Sequence, residues 1–100
     1  MLNQVILVGR IGNIEKGEKT KITLAIPRSF KNSEGEYDTD FIDIYLYGNI
    51  SENTINYCKK GDIIGIKGRV QSSTIERYHS KMTIIEIIAE KVTFLTSKSE

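Results

Sequence analysis

Three aromatic rings recur at even spacing in the stretch Thr39 to Gly48, TDFIDIYLYG. If this stretch is extended, Phe41, Asp43, Tyr45 and Tyr47 project to one side and Ile42, Ile44 and Leu46 to the other. The aliphatic side is a core row. The opposite side carries rings where a solvated strand normally shows Lys, Thr or Glu, so it needs a flat apolar partner. Unpaired bases stacked on the rings are one such partner, and a protein surface is another. Two neighbourhoods favour bases. Phe30 sits between cations in Arg28-Ser29-Phe30-Lys31, and Lys67 and Arg69 form a period-two basic pair on the outer side of a later strand. Cations interleaved with rings suit a sequence-tolerant groove, where bases stack on the rings and phosphates follow the charges.

The remaining reactive side chains do not converge. Asp38, Asp40 and Asp43 are the nearest approach to a carboxylate cluster. Parity nevertheless puts Asp43 on the ring face and the other two at the start of the aliphatic side, so no nucleophile–base pair results. Asp43 is expected to pair with Lys67 or Arg69 across strands. His79, the one histidine, lies in the polar turn RYHSK and reads as an exposed loop residue. Cys58 reads as a packed small hydrophobe. No glycine-rich phosphate loop leads into a helix. The residues imply no cofactor and no metal.

These side chains need strands to position them. VILVG from Val5 is an apolar, β-branched run of strand length. Gly12 to Lys19 reads as a short polar connection. KITLAIP then alternates, with Ile22, Leu24 and Ile26 on one face, and Pro27 marks an edge or the strand's end. Lys31 to Glu36 is turn chemistry, giving a hairpin whose acids face water. A helix is expected over residues 51–60. Ser51 would be its N-cap, Ile50 and Ile55 a hydrophobic staple, Lys59 and Lys60 its basic last turn, and Gly61 its left-handed stop. DIIGIKGRV alternates again, with Gly68 in the inward row as a point of close approach. A polar stretch around Glu76 to Lys81 leads into MTIIEIIAEKVTFL. Strand, strand, strand, short helix, strand, strand is the order of an all-β, five-stranded Greek-key OB-fold barrel with its helix between strands 3 and 4. A split sandwich is the alternative.

The totals constrain the reading. One hundred residues suffice for one domain, and 14 Lys+Arg against 13 Asp+Glu leave a net charge of +1. Nucleic-acid binding therefore has to rest on where the charges sit. One cysteine excludes an intrachain disulfide and paired-cysteine zinc sites. No apolar run approaches the ~20 residues of a membrane span, and no signal peptide precedes the first strand, so a cytoplasmic location is expected.

Taken together, MLNQVILVGRIG, TLAIPRSF, TDFIDIYLYG, YCKKGD and IKGRVQS resemble the bacterial single-stranded DNA-binding protein family nearly end to end. The resemblance implies an OB-fold over residues 1–96, a homotetramer, and sequence-independent binding of single-stranded DNA in replication, recombination and repair, in the cytoplasm at the nucleoid. By position it implies stacking by Phe30, Phe41 and Tyr47, with Tyr45 in support, and phosphate contacts at Lys31 and Lys60. Arg28, Lys67 and Arg69 complete the expected DNA-binding set. Ile75 falls where the family has a fourth ring, so either that contact is lost or Tyr78 replaces it. The connection after the first strand is shorter than in the family. Residues 97–100 form a short remnant without the family's acidic tail, and recruitment of replication proteins through such a tail is not expected. Two rival readings remain at this point: a primosome-type relative tolerant of RNA, and an interaction module whose rings bind protein. A metal-dependent nuclease is the more distant third.

Overall fold

The computed structural model describes residues 1–17 and 19–96. Its elements are β1 (Val5–Glu15), β2 (Thr20–Lys31), β3 (Tyr37–Leu46), α1 (Gly48–Tyr57), β4 (Ile63–Arg77) and β5 (Ser80–Thr96). The strands close into a barrel in the order β1-β2-β3-β5-β4. This is the expected all-β OB-fold, with the helix between β3 and β4. The alternating rows explain it. Ile22 and Leu24 of β2, Ile44 and Leu46 of β3, and Ile64 and Ile66 of β4 all turn inward with Ile11, and all are buried. Truncating one of these, for example Ile44→Ala, should cost about 2–5 kcal/mol.

Barrel closure is uneven. β4 and β5 pair along their whole length, from Ile63↔Thr96 to Arg77↔Ser80. β3 and β5, by contrast, run parallel and share only the pairs Ile44↔Ile87 and Tyr45↔Ile88. Gly68 marks the tightest approach: a Cβ there would collide with the carbonyl of Ile88, where the β4–β5 register shifts. The close approach expected of this glycine is therefore present.

Two expectations about element limits are corrected, and the choice left open at Pro27 is decided. β1 does not end near Gly12. A bulge between Ile11 and Asn13 carries it on, and Asn13, Ile14 and Glu15 pair with Thr23, Ile22 and Lys21. That bulge keeps Ile14 packed against the core, which the polar composition of the stretch conceals. At Pro27 the edge alternative holds, and β2 runs on to Lys31. Pro27 pairs with Thr39 of β3, while the last β1 partner on the other side is Arg10↔Ala25, so proline occupies a free edge where no donor is needed. The helix begins three residues earlier than expected, at Gly48, whose φ of +58° turns the chain out of β3. Ser51 is not its cap. The Ser51 hydroxyl donates to Thr20 Oγ1 at 2.6 Å and ties the helix to the start of β2. The helix ends at Tyr57, so Ile50 lies within it, Lys59 and Lys60 lie beyond it, and Gly61 (φ +99°) makes the turn into β4.

Candidate nucleic-acid interface

The outward row of β3 is Tyr37, Thr39, Phe41, Asp43 and Tyr45, with Tyr47 following at the helix start. Parity assigns it, and exposure agrees: Phe41 is 70% exposed, Phe30 63% and Tyr47 43%. Exposed rings of this size are not core residues. Across β2 the partners are small or short, with Ala25 opposite Phe41, Thr23 opposite Asp43 and Pro27 opposite Thr39. The ring of Phe41 therefore stands above a low floor. One strand further, Arg10 pairs with Ala25, so its backbone stands in register with Phe41. A groove of about 370 Å³ runs there, lined by Val8, Arg10, Ala25, Pro27, Thr39 and Ile63.

The cations are placed unequally. Arg10 Nη1 donates to the Gly61 carbonyl at 2.7 Å, which brings the corner carrying exposed Lys60 beside this groove. Lys31 pairs with Tyr37 at the base of the β2–β3 hairpin. Arg28 is already engaged. Its Nε and Nη2 donate to Asp40, the shortest contact being 2.8 Å, and its Nη1 lies 3.7 Å from Asp38. The Arg28 guanidinium holds the Asp40 carboxyl below its usual range. Asp38 and Asp40 are thus held by one arginine rather than open to a metal ion.

Asp43 does not pair with Lys67 or Arg69. β3 neighbours β2 and β5, not β4, so the partners come from β2: Thr23 Oγ1 donates to Asp43 at 2.7 Å, and Lys21 Nζ lies 3.9 Å away. Lys67 pairs with Ile6 of β1, among outward-facing Ile6, Val8 and Leu95. Arg69 contacts Glu90 at 3.4 Å and Gln71 at 3.2 Å. Tyr78 sits with His79 in the two-residue turn joining β4 to β5, both at positive φ and both exposed. The structure therefore gathers Phe30, Phe41, Tyr45, Tyr47, Arg28 and Lys31 along β2–β3, sets Lys60 near their groove, and leaves Lys67, Arg69 and Tyr78 on β4 and its hairpin.

Tyr45 is half-buried and already has a cation over it. Lys19 Nζ stands 4.6 Å from its ring centroid and 2.9 Å from Glu86 Oε2. Glu86, buried in the wall of β5, also accepts from Ser73 Oγ at 3.0 Å. Hydrogen bonds from Lys19 and Ser73 hold its pKa below the ordinary glutamate value, and Glu86 in turn raises that of Lys19. This strap crosses the end of β3 where only two pairs join it to β5. Sequence reading missed Arg10, Lys19 and Glu86; nothing in a single strand's pattern signals a contact between residues so far apart in the chain. Cys58 is buried as expected, and burial followed by the Asp62 charge pushes its thiol up to about 11, leaving it inert as a nucleophile.

Comparison with known proteins extends the reading. The profile of the single-strand binding protein family matches residues 2–95. The chain is 36% identical to single-stranded DNA-binding protein B of Bacillus subtilis, over 98% of this chain and 94% of that protein. It is 40% identical to single-stranded DNA-binding protein 3 of Listeria innocua, over 98% of this chain and 66% of that one. Among solved structures, the Plasmodium falciparum single-stranded DNA-binding protein in complex with single-stranded DNA superposes with a TM-score of 0.74 at 25% identity, covering 95% of this chain and 96% of that one. A mitochondrial single-stranded DNA-binding protein of S. cerevisiae shares the fold, with a TM-score of 0.71 at 20% identity over 98% of this chain and all of its own (100%).

Proposed function

The chain belongs to the single-strand binding protein family, and from that membership we propose that it coats single-stranded DNA without regard to sequence, holding it on the outer β2–β3 face. The observation that carries this is the exposed ring of Phe41 over the low floor of Ala25, with Arg10 in register beyond it. Phe30, Phe41 and Tyr47 stack bases, and Tyr45 supports them from beneath Lys19. Lys31 and Lys60 take phosphates. Arg28 joins them by exchanging Asp40 for a phosphate oxygen, a substitution of one charge-assisted partner for another. Lys67, Arg69 and Tyr78 are reached by a strand long enough to wrap onto β4 and its hairpin.

The protein works as a homotetramer over one OB-fold domain spanning residues 1–96. The four residues at 97–100 lie outside the described residues. Coating keeps exposed strands from re-pairing and from nucleases, which serves replication, recombination and repair on the nucleoid in the bacterial cytoplasm. Binding is its whole activity, and no reaction is catalysed.

Titration of the protein with dT and rU oligomers at rising salt tests this reading. Affinity for dT should fall log-linearly with salt, with a slope of about −0.7 per phosphate neutralised. A dT affinity that salt leaves unchanged, or no binding of dT at all, contradicts it. Equal affinity for dT and rU would turn the assignment toward an RNA-tolerant relative.

A further inference from the structure

We propose that Tyr37, braced by Lys31, is a further base-stacking position, so that the bound strand leaves the barrel over the β2–β3 hairpin. The inference rests on the β2–β3 face being the DNA-binding face. Tyr37 opens the same outward row that contains Phe41, four residues ahead of it, or about 13 Å along an extended strand. The one outward residue between them is Thr39, too small to block a base lying across the gap. Tyr37 is 58% exposed, comparable with Phe30 and Phe41.

A cation accompanies the ring. Lys31 is the cross-strand partner of Tyr37, and its Nζ stands 5.8 Å from the ring centroid. The register shift between Pro27 and Lys31 packs Arg28, Ser29 and Phe30 into a bulge, so the Phe30 ring emerges one residue before that lysine. Lys31 and Tyr37 therefore form a cation–ring pair at the base of the hairpin, with Phe30 next to Lys31 in the chain. Its platform is preformed. Asn32 Oδ1 accepts from the backbone N–H of Glu34 at 2.9 Å and of Glu36 at 3.0 Å, and Gly35 takes the left-handed turn at φ +82°. The nearest acid, Asp38, is held by Asn32 Nδ2 at 3.1 Å and faces Arg28, which moderates its repulsion of phosphate. The exposed rings outside this group lie elsewhere: Tyr78 caps the β4–β5 hairpin, and Tyr57 packs against Phe94.

The competing reading is a cross-strand Lys–Tyr pair that only stiffens the hairpin. Titrating Tyr37→Ala, Tyr37→Phe and Phe41→Ala with labelled dT oligomers of increasing length separates the two. Tyr37→Ala should lose about five-fold or more in affinity for long oligomers, with a melting temperature like that of the parent, and Tyr37→Phe should bind like the parent. Parental affinity of Tyr37→Ala at every length overturns the proposal. So does a joint loss of melting temperature and affinity that Tyr37→Val, a strand former without a ring, restores. If Phe41→Ala weakens binding while Tyr37→Ala does not, the extension fails alone; if neither weakens it, the binding face itself is wrong.

Discussion

Two outer surfaces of this barrel are apolar, and they are made of different side chains. The β2–β3 face presents Phe30, Tyr37 and Phe41, with Arg10 and Lys31 paired to its strands. The β1–β4–β5 face presents Ile6, Val8 and Leu95 around Gly65, and rings are absent from this patch. β1 contributes to both: Arg10 pairs with Ala25 of β2, while Ile6 and Val8 pair only with β4. A base gains stacking energy on a ring and little on an isoleucine, whereas a second protein surface packs well on branched aliphatics. The difference teaches that exposed apolar area alone does not identify a nucleic-acid surface. On the function proposed above, rings beside cations carry the strand, and the aliphatic patch suits contact with another copy of the chain.

Substitutions can break that contrast. The largest effect is expected from Ile6→Asp combined with Leu95→Asp. Each buried aliphatic contributes about 1.5–3 kcal/mol, so the pair should shift the oligomer to smaller species by mass measurement. Short dT oligomers should still bind each subunit. A loss of short-oligomer binding without a change in mass would reverse the roles of the two faces. Phe41→Ala comes next. It should weaken dT binding by ~1–3 kcal/mol while the melting temperature stays nearly constant, because the ring is exposed. A collapsed melting temperature with parental binding would make Phe41 a core residue.

The smallest effect concerns the strap that holds Tyr45. Lys19 and Ser73 lower the pKa of Glu86 in the folded chain. A carboxyl lowered in this way adds stability that is complete above its unfolded value and disappears as pH falls through the folded one. Melting temperature should therefore decline from the ordinary glutamate range, near 4.5, toward lower pH. Glu86→Gln should flatten that decline and lower the melting temperature at neutral pH. An unchanged profile would mean that the strap does not close the β3–β5 seam.

Much of this was legible in the sequence because it depends on parity. The period-two rows of β2, β3 and β4 indicated which side faces the core, and the order of elements indicated the barrel. The rings at Phe41, Tyr45 and Tyr47 followed from the same rule. Other features depend on which strands become neighbours, and parity does not supply that. Asp43 was expected to meet Lys67 or Arg69 and instead meets Thr23 and Lys21, because β2 rather than β4 lies beside β3. The helix start was misplaced because Ser51 has the chemistry of a cap, yet its hydroxyl is used by Thr20. The Lys19–Glu86 pair joins residues 67 positions apart and has no local signature.

The most direct test of the central claim is an NMR titration with a dT oligomer, following ring and methyl signals together. Ring signals of Phe30, Phe41 and Tyr47 should move upfield as bases stack on them, while the methyl signals of Ile6 and Leu95 stay in place. Moving Ile6 and Leu95 methyls beside stationary rings would contradict the account.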